Sequence, residues 1–184
     1  MITHLTKLWI AQFATVSMGV LFALTALASN ALIQPFPKGS RQQILDTYHD
    51  QPVMLVLWSV ACSSCLKELE LISETLQTSP DLNIVFVSTN AWTEFSESSD
   101  VMEKHGLLHS DAWAFSDSDI QAQRYEIDPK WYGEVPRTYF YHSTHHRTGL
   151  SGKLHESHLN KWLATHRLPS STPFITVPTS TKLY

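Results

Sequence analysis

Cys62 and Cys65 are the only cysteines in the chain, and they stand three positions apart in "LWSVACSSCLKELELI", residues 57–72. Two thiols at this spacing can cycle between dithiol and disulfide, supply half of a metal site, or lie inert in a core. A bridge between them closes a very small loop and constrains the unfolded chain little, so as a structural staple it is weak. That favours chemistry. A zinc site needs two further ligands, typically another Cys pair or His at fixed spacing, and there is no second C-x-x-C. Ten histidines, with His142, His145 and His146 clustered, raise a copper or zinc alternative. They show no ligand spacing on a regular element, and a solvated turn is the better reading of them.

The elements around the pair decide how it would react. Residues 52–59, "PVMLVLWS", form a continuous apolar run of strand length, expected to be buried on both faces at the centre of a sheet. From Ser63 the period changes. Cys65, Leu69, Ile72 and Leu76 fall on one face of a helix that ends near "SPD", residues 79–81. Cys62 therefore stands where a strand hands over to a helix. Backbone N–H groups there lack intrahelical partners, and the helix dipole is positive. Thiolates of C-x-x-C motifs at such positions have pKa values of about 3.5–7.5 instead of about 8.5. Cys62 is thus the expected nucleophile. Cys65, one turn further in, is expected to be more buried and to resolve the mixed disulfide.

Residues 82–88 read as a second buried strand, giving a strand–helix–strand unit. A weaker helix is expected over 93–105 and a short strand over 112–116. Another helix, carrying Ile120 and Tyr125, is expected to be capped by Asp117 or Ser118. Residues 135–143 alternate and are rich in Tyr, Thr and Phe, which predicts a strand. The glycines of "HHRTGLSGKL" suggest a hairpin returning near 150–154. Residues 156–166 fit a closing helix with Leu159, Trp162 and Leu163 inward. Upstream, "SRQQ" at 40–43 has the form of a capping box for a short helix. The sum is an α/β domain with a mixed sheet flanked by helices.

The chain of 184 residues, 43% hydrophobic, suits one domain with extensions. Net charge is −4 and there is no basic stripe, so no nucleic-acid partner is expected. Residues 1–28 carry Lys7, an apolar stretch and then Ala26-Leu27-Ala28, and contain no acid. The order basic, apolar, small-x-small is that of a secretory signal peptide, with an uncleaved membrane anchor as the alternative. Both place the domain outside the cytoplasm, where closely spaced thiols pair unless kept reduced. Residues 29–39 read as an extended lead-in, 40–168 as the domain, and 169–184, rich in Ser, Thr and Pro, as a mobile tail.

The segment around the cysteines resembles the active-site motif W-x-x-x-C-x-x-C-x-x-E of the thioredoxin-like TlpA/ResA-type extracytoplasmic thiol–disulfide oxidoreductases, with Trp58, Cys62, Cys65 and Glu68 at the four fixed positions. Further on, "GEVPRTYFY" resembles that family's G-x-P-x-T-F segment, and "SGKL" its G-K-I strand. The resemblance runs from about Phe36 to Arg167. It implies a thioredoxin-like fold and a protein thiol–disulfide oxidoreductase with a redox-active Cys62–Cys65 disulfide and no bound cofactor. It implies a cis bond before Pro136, with Val135, Pro136, Thr138 and Trp58 forming the approach for an extended substrate strand. It implies that Glu68 handles protons at the cysteines, since a partly buried carboxylate beside a thiol can accept its proton. Clients would be cysteine-containing exported proteins, apocytochrome c among them, served in the reducing direction by a membrane electron donor in a bacterial periplasm. Three departures stand out. Ala61 replaces the aromatic that often precedes the first cysteine, Ser63-Ser64 replaces a proline-containing dipeptide, and Glu70 stands where a helix-kinking proline is frequent. The dipeptide leaves an oxidant or isomerase open, and a straighter helix is expected.

Overall fold

A computed structural model describes residues 33–166 apart from Asp117 and His145. The segments read as signal or anchor (1–28) and as tail (169–184) lie outside the described residues. Among the described residues twelve elements follow one another: β1 (Gln34–Phe36), α1 (Ser40–Thr47), β2 (Val53–Trp58), α2 (Ser63–Thr78), β3 (Ile84–Ser88), a 3-10 turn (Trp92–Glu94), α3 (Phe95–Lys104), β4 (Asp111–Phe115), α4 (Ile120–Ile127), β5 (Arg137–Tyr141), β6 (Arg147–Ser151) and α5 (Glu156–His166).

The strands form one sheet in the order β1-β4-β3-β2-β5-β6. The four strands on the β1 side run parallel, whereas β5 pairs antiparallel with β2 and with β6. Every residue of β2 is buried, as a central strand covered on both faces must be. Met54, Val56 and Trp58 face a core shared with Cys65, Leu69 and Ile72 of α2 and Leu159 and Trp162 of α5. Val53, Leu55 and Leu57 face the opposite core, with Ile44 and Leu45 of α1, Ile127 of α4, and Tyr139 and Tyr141. Strand alternation thus sorts adjacent residues of β5 onto different faces: Thr138 toward α2, Tyr139 away from it.

Several expectations need correction. The lead-in contains β1, which pairs with β4 from Gln34↔Trp113 to Phe36↔Phe115. Pro35 and Pro37 obscure it, but a short edge strand tolerates proline because its outer N–H groups need no ladder partner. The capping box does not form. Gly39 is the N-cap of α1, at φ 95°, and the Glu126 carboxylate of α4 accepts from the N–H groups of Gly39 and Arg41 (2.9 and 3.2 Å). The cap of α4 is Asp119, which accepts from Ala122 N–H, and the buried side chains of that helix are Gln123 and Ile127, with Tyr125 exposed. The hairpin glycines are not in the turn. Gly149 lies within β6, where an added Cβ would come within 2.5 Å of the Arg137 guanidinium.

Candidate active site

Beyond Trp58 the chain crosses Ser59, Val60 and Ala61 to reach Cys62. This crossing is pinned by the end of β3. Trp58 C=O accepts from Thr89 N–H at 2.8 Å and from the Thr89 hydroxyl at 3.2 Å. Val60 N–H donates to Asn90 Oδ1 at 3.0 Å, and Asn90 Nδ2 donates to Glu94 Oε2 at 2.8 Å. Asn90 carries no sequence signal for this role, because an Asn after a strand reads as an ordinary turn residue.

Cys62 is the N-cap of α2, with extended backbone, and its sulfur accepts the Cys65 N–H at 3.1 Å. A side chain in this position satisfies one of the orphan donors of the first turn. The two sulfurs are joined as a disulfide, with Cα atoms 5.2 Å apart. Cys62 is partly buried and Cys65 is 1% exposed. An incoming sulfur therefore has access to the first cysteine and not to the second. In the dithiol form, negative charge on Cys62 Sγ would lie at the positive end of a 16-residue helix, in reach of the donor that it already engages. The Ser64 hydroxyl lies 3.6 Å from the same sulfur.

Glu68 is 1% exposed, one turn beyond Cys65 on the inward face of α2. It is no solvated helix glutamate. Its Oε1 accepts from the Thr138 hydroxyl at 3.1 Å and its Oε2 from Leu154 N–H at 2.9 Å. Burial pushes its pKa up, opposed by the two hydrogen bonds and by the charge of Lys153. The result is a carboxyl raised above its usual range, anchored by neutral donors, on the same helix face as the shielded cysteine.

Thr138, expected at the substrate surface, is fully buried and serves Glu68 instead. Trp58, also expected along the approach, is core at 1% exposed, because the strand it ends is covered on both sides. Pro136 is buried, the Val135–Pro136 bond is cis, and Pro136 C=O accepts from Gly152 N–H at 3.0 Å. With Leu57 opposite Arg137, this bond lies alongside the end of β2 from which the cysteine loop departs. Val135 is partly buried and packs against the same core cluster as Cys62.

On the other face of the sheet lies a second buried carboxylate that no sequence motif marks. Asp128, 7% exposed, accepts from Tyr139 Oη at 2.9 Å and Lys130 N–H at 3.0 Å. It pairs with Arg147 at 2.9 Å and Arg137 at 3.6 Å. Burial opposes its charge, but these four partners outweigh it and hold the carboxyl below its usual range.

Among the described residues no group of three or more His, Cys, Asp or Glu is placed to hold a metal ion, and His145 lies outside them. His142 and His146 have ring centroids 6.0 Å apart. No described helix is long and apolar enough to cross a membrane.

No protein-family model matches the chain, and no curated protein matches it. Solved structures do. A secreted Mycobacterium tuberculosis disulfide oxidoreductase homologous to E. coli DsbE is 19% identical at a TM-score of 0.51, over 65% of this chain and 84% of that one. A thiol:disulfide interchange protein of the thioredoxin family from Chlorobium tepidum is 11% identical at 0.52, over 65% and 82%. The thioredoxin domain of a thiol–disulfide oxidoreductase from Bacteroides vulgatus is 16% identical at 0.51, over 65% and 82%. The chain has a thioredoxin-like fold, as its mixed six-stranded sheet and flanking helices also show.

Proposed function

We propose that this protein is a thiol–disulfide oxidoreductase that exchanges disulfides with cysteines of other proteins. The observation that carries this reading is the Cys62–Cys65 disulfide at the start of α2, one cysteine accessible and the other shielded, with a buried carboxyl one turn on. Working as a reductant, the dithiol form attacks through Cys62 Sγ. The client S–S bond breaks, one client sulfur leaves as a thiolate and takes up a proton, and Cys62 is joined to the other. Cys65 then loses its proton to Glu68, attacks Cys62 Sγ, and releases the second client thiol. Two electrons have moved to the client and the Cys62–Cys65 disulfide remains, to be reduced by a dithiol donor. Val135 and the cis-Pro136 segment, alongside the cysteine loop, receive the client backbone.

Export to the extracytoplasmic side, into a periplasm in a cell with two membranes, rests on the composition of residues 1–28. Exported cysteine-containing proteins, apocytochrome c among them, are the proposed clients, and a membrane-borne thiol system the proposed donor. Capture in the cell tests the reading. Cys65→Ser accumulates mixed disulfides through Cys62, and Cys62→Ser accumulates none. A Cys65→Ser protein that captures nothing contradicts it. Direction is read from the equilibrium with glutathione: a potential near about −270 mV marks a reductant, and one near about −120 mV an oxidant.

A further inference from the structure

Ala61, just before the first cysteine, is exposed and has little side chain to offer a partner. Apolar surface is supplied by another element, the turn that follows β3 and is bonded to the cysteine loop. Trp92 and Phe95 stack with ring centroids 5.2 Å apart and planes at 18°. Trp92 packs against the same core cluster as Val60 and Cys62. Phe95 is 41% exposed, one of three exposed large hydrophobic residues among those described and the only one without a polar atom. The turn bearing them is tied to the cysteine loop, because Asn90 holds Val60 N–H with one side-chain atom and Glu94 with the other. Glu94, Glu97 and Asp100 are exposed along the same segment, and no basic residue occurs between Val60 and Cys65 or between Thr89 and Glu103.

We infer that the Trp92–Phe95 stack is the docking surface for a large apolar side chain next to the reacting cysteine of an extended client polypeptide, with the acidic segment favouring basic residues beyond it. This rests on the thiol–disulfide reading and adds what the client must look like. An exposed phenyl stacked on a half-buried indole offers a rigid, flat contact that costs little side-chain ordering on binding. Its link through Asn90 ties the segment that bears it to the loop that bears Cys62, so that contact would position a cysteine as well as hold a chain.

The test follows oxidation of the reduced full-length protein by synthetic peptides closed by one disulfide. The peptides carry Phe or Gly beside each cysteine and Lys or Glu beyond. Hydroxyethyl disulfide, which has no side chains to dock, is the control. Phe95→Ala is expected to slow the Phe peptide about tenfold, while the Gly peptide and hydroxyethyl disulfide change less than about twofold. Phe95→Leu restores most of the rate. Glu97→Lys is expected to reduce the preference for the Lys peptide about threefold at low ionic strength, an effect that added salt removes. Equal slowing on every disulfide, or no slowing on the Phe peptide, overturns the docking surface and leaves the oxidoreductase reading standing. A wild-type protein that exchanges with none of the disulfides overturns both.

Discussion

Glu68 and Asp128 are both buried carboxyls, at 1% and 7% exposure, and both are bonded to β5, through the adjacent residues Thr138 and Tyr139. They are held in opposite ways. Glu68 has two neutral donors and, outside ion-pair distance, the charge of Lys153, so desolvation wins and its pKa rises. Asp128 has a hydroxyl, a backbone N–H and two guanidiniums, so its charge is locked in and its pKa falls. One strand thus serves a carboxyl of raised pKa one turn beyond Cys65 and, on its reverse face, one that fastens β6 and the segment after α4. Burial alone does not set a role; the charge of the partners does.

The amide replacements Asp128→Asn and Glu68→Gln sharpen the contrast most. Asp128→Asn removes both ion pairs, leaving Arg137 with Glu134 and Ser151 and Arg147 with Ile127 C=O, and is expected to cost about 1.5–3 kcal/mol in urea denaturation, whereas Glu68→Gln costs less than about 1 kcal/mol. Equal costs would break the comparison. Kinetics should reverse the order. Glu68→Gln is expected to slow resolution of the mixed disulfide about 10- to 100-fold at neutral pH, with Asp128→Asn unchanged in the folded protein, as read by quenched-flow trapping.

The pH dependence of stability gives the next contrast. A raised native pKa means that the folded state holds the proton more tightly than the unfolded chain does. Glu68 should therefore lower stability as pH rises from 4.5 through its native value, and Glu68→Gln should remove that fall. Asp128, lowered from 3.8, contributes stability above that value that is lost as pH falls through its native pKa, and Asp128→Asn should remove that loss. Denaturation midpoints across a pH series check both signs. A more modest effect than that of Asp128→Asn is expected from Thr138→Val, which deletes one donor to Glu68: about 1 kcal/mol of stability, and a further rise of the carboxyl pKa seen by carbon NMR.

Local signals in the sequence were readable. The unbroken apolar run of β2, the change of period at Ser63 and the amphipathic face of α5 each lie within one segment, and the elements stand where those patterns put them. With the motif Trp58, Cys62, Cys65, Glu68, they made the thioredoxin-like fold and the cysteine pair legible. What stayed hidden was set by residues distant in sequence. Glu126 caps α1 from 87 residues away, and Leu154 meets Glu68 from 86 away, through partners that no local pattern marks. Asp128 looks like any acid near a turn until Arg137, Arg147 and Tyr139 converge on it. The family resemblance puts Trp58 and Thr138 along the substrate approach, whereas the strands carrying them are interior to the sheet, which puts both side chains in the core.

The central claim is that Cys62, at the head of α2, is the acidic and reactive thiol of the pair. Its most direct test is the pH dependence of iodoacetamide labelling of the reduced protein, resolved by mass spectrometry into the two cysteines. The account predicts that Cys62 labels with a midpoint between about 3.5 and 7.5 and that Cys65 labels far more slowly. A Cys62 midpoint at or above about 8.5, or faster labelling of Cys65, would contradict it.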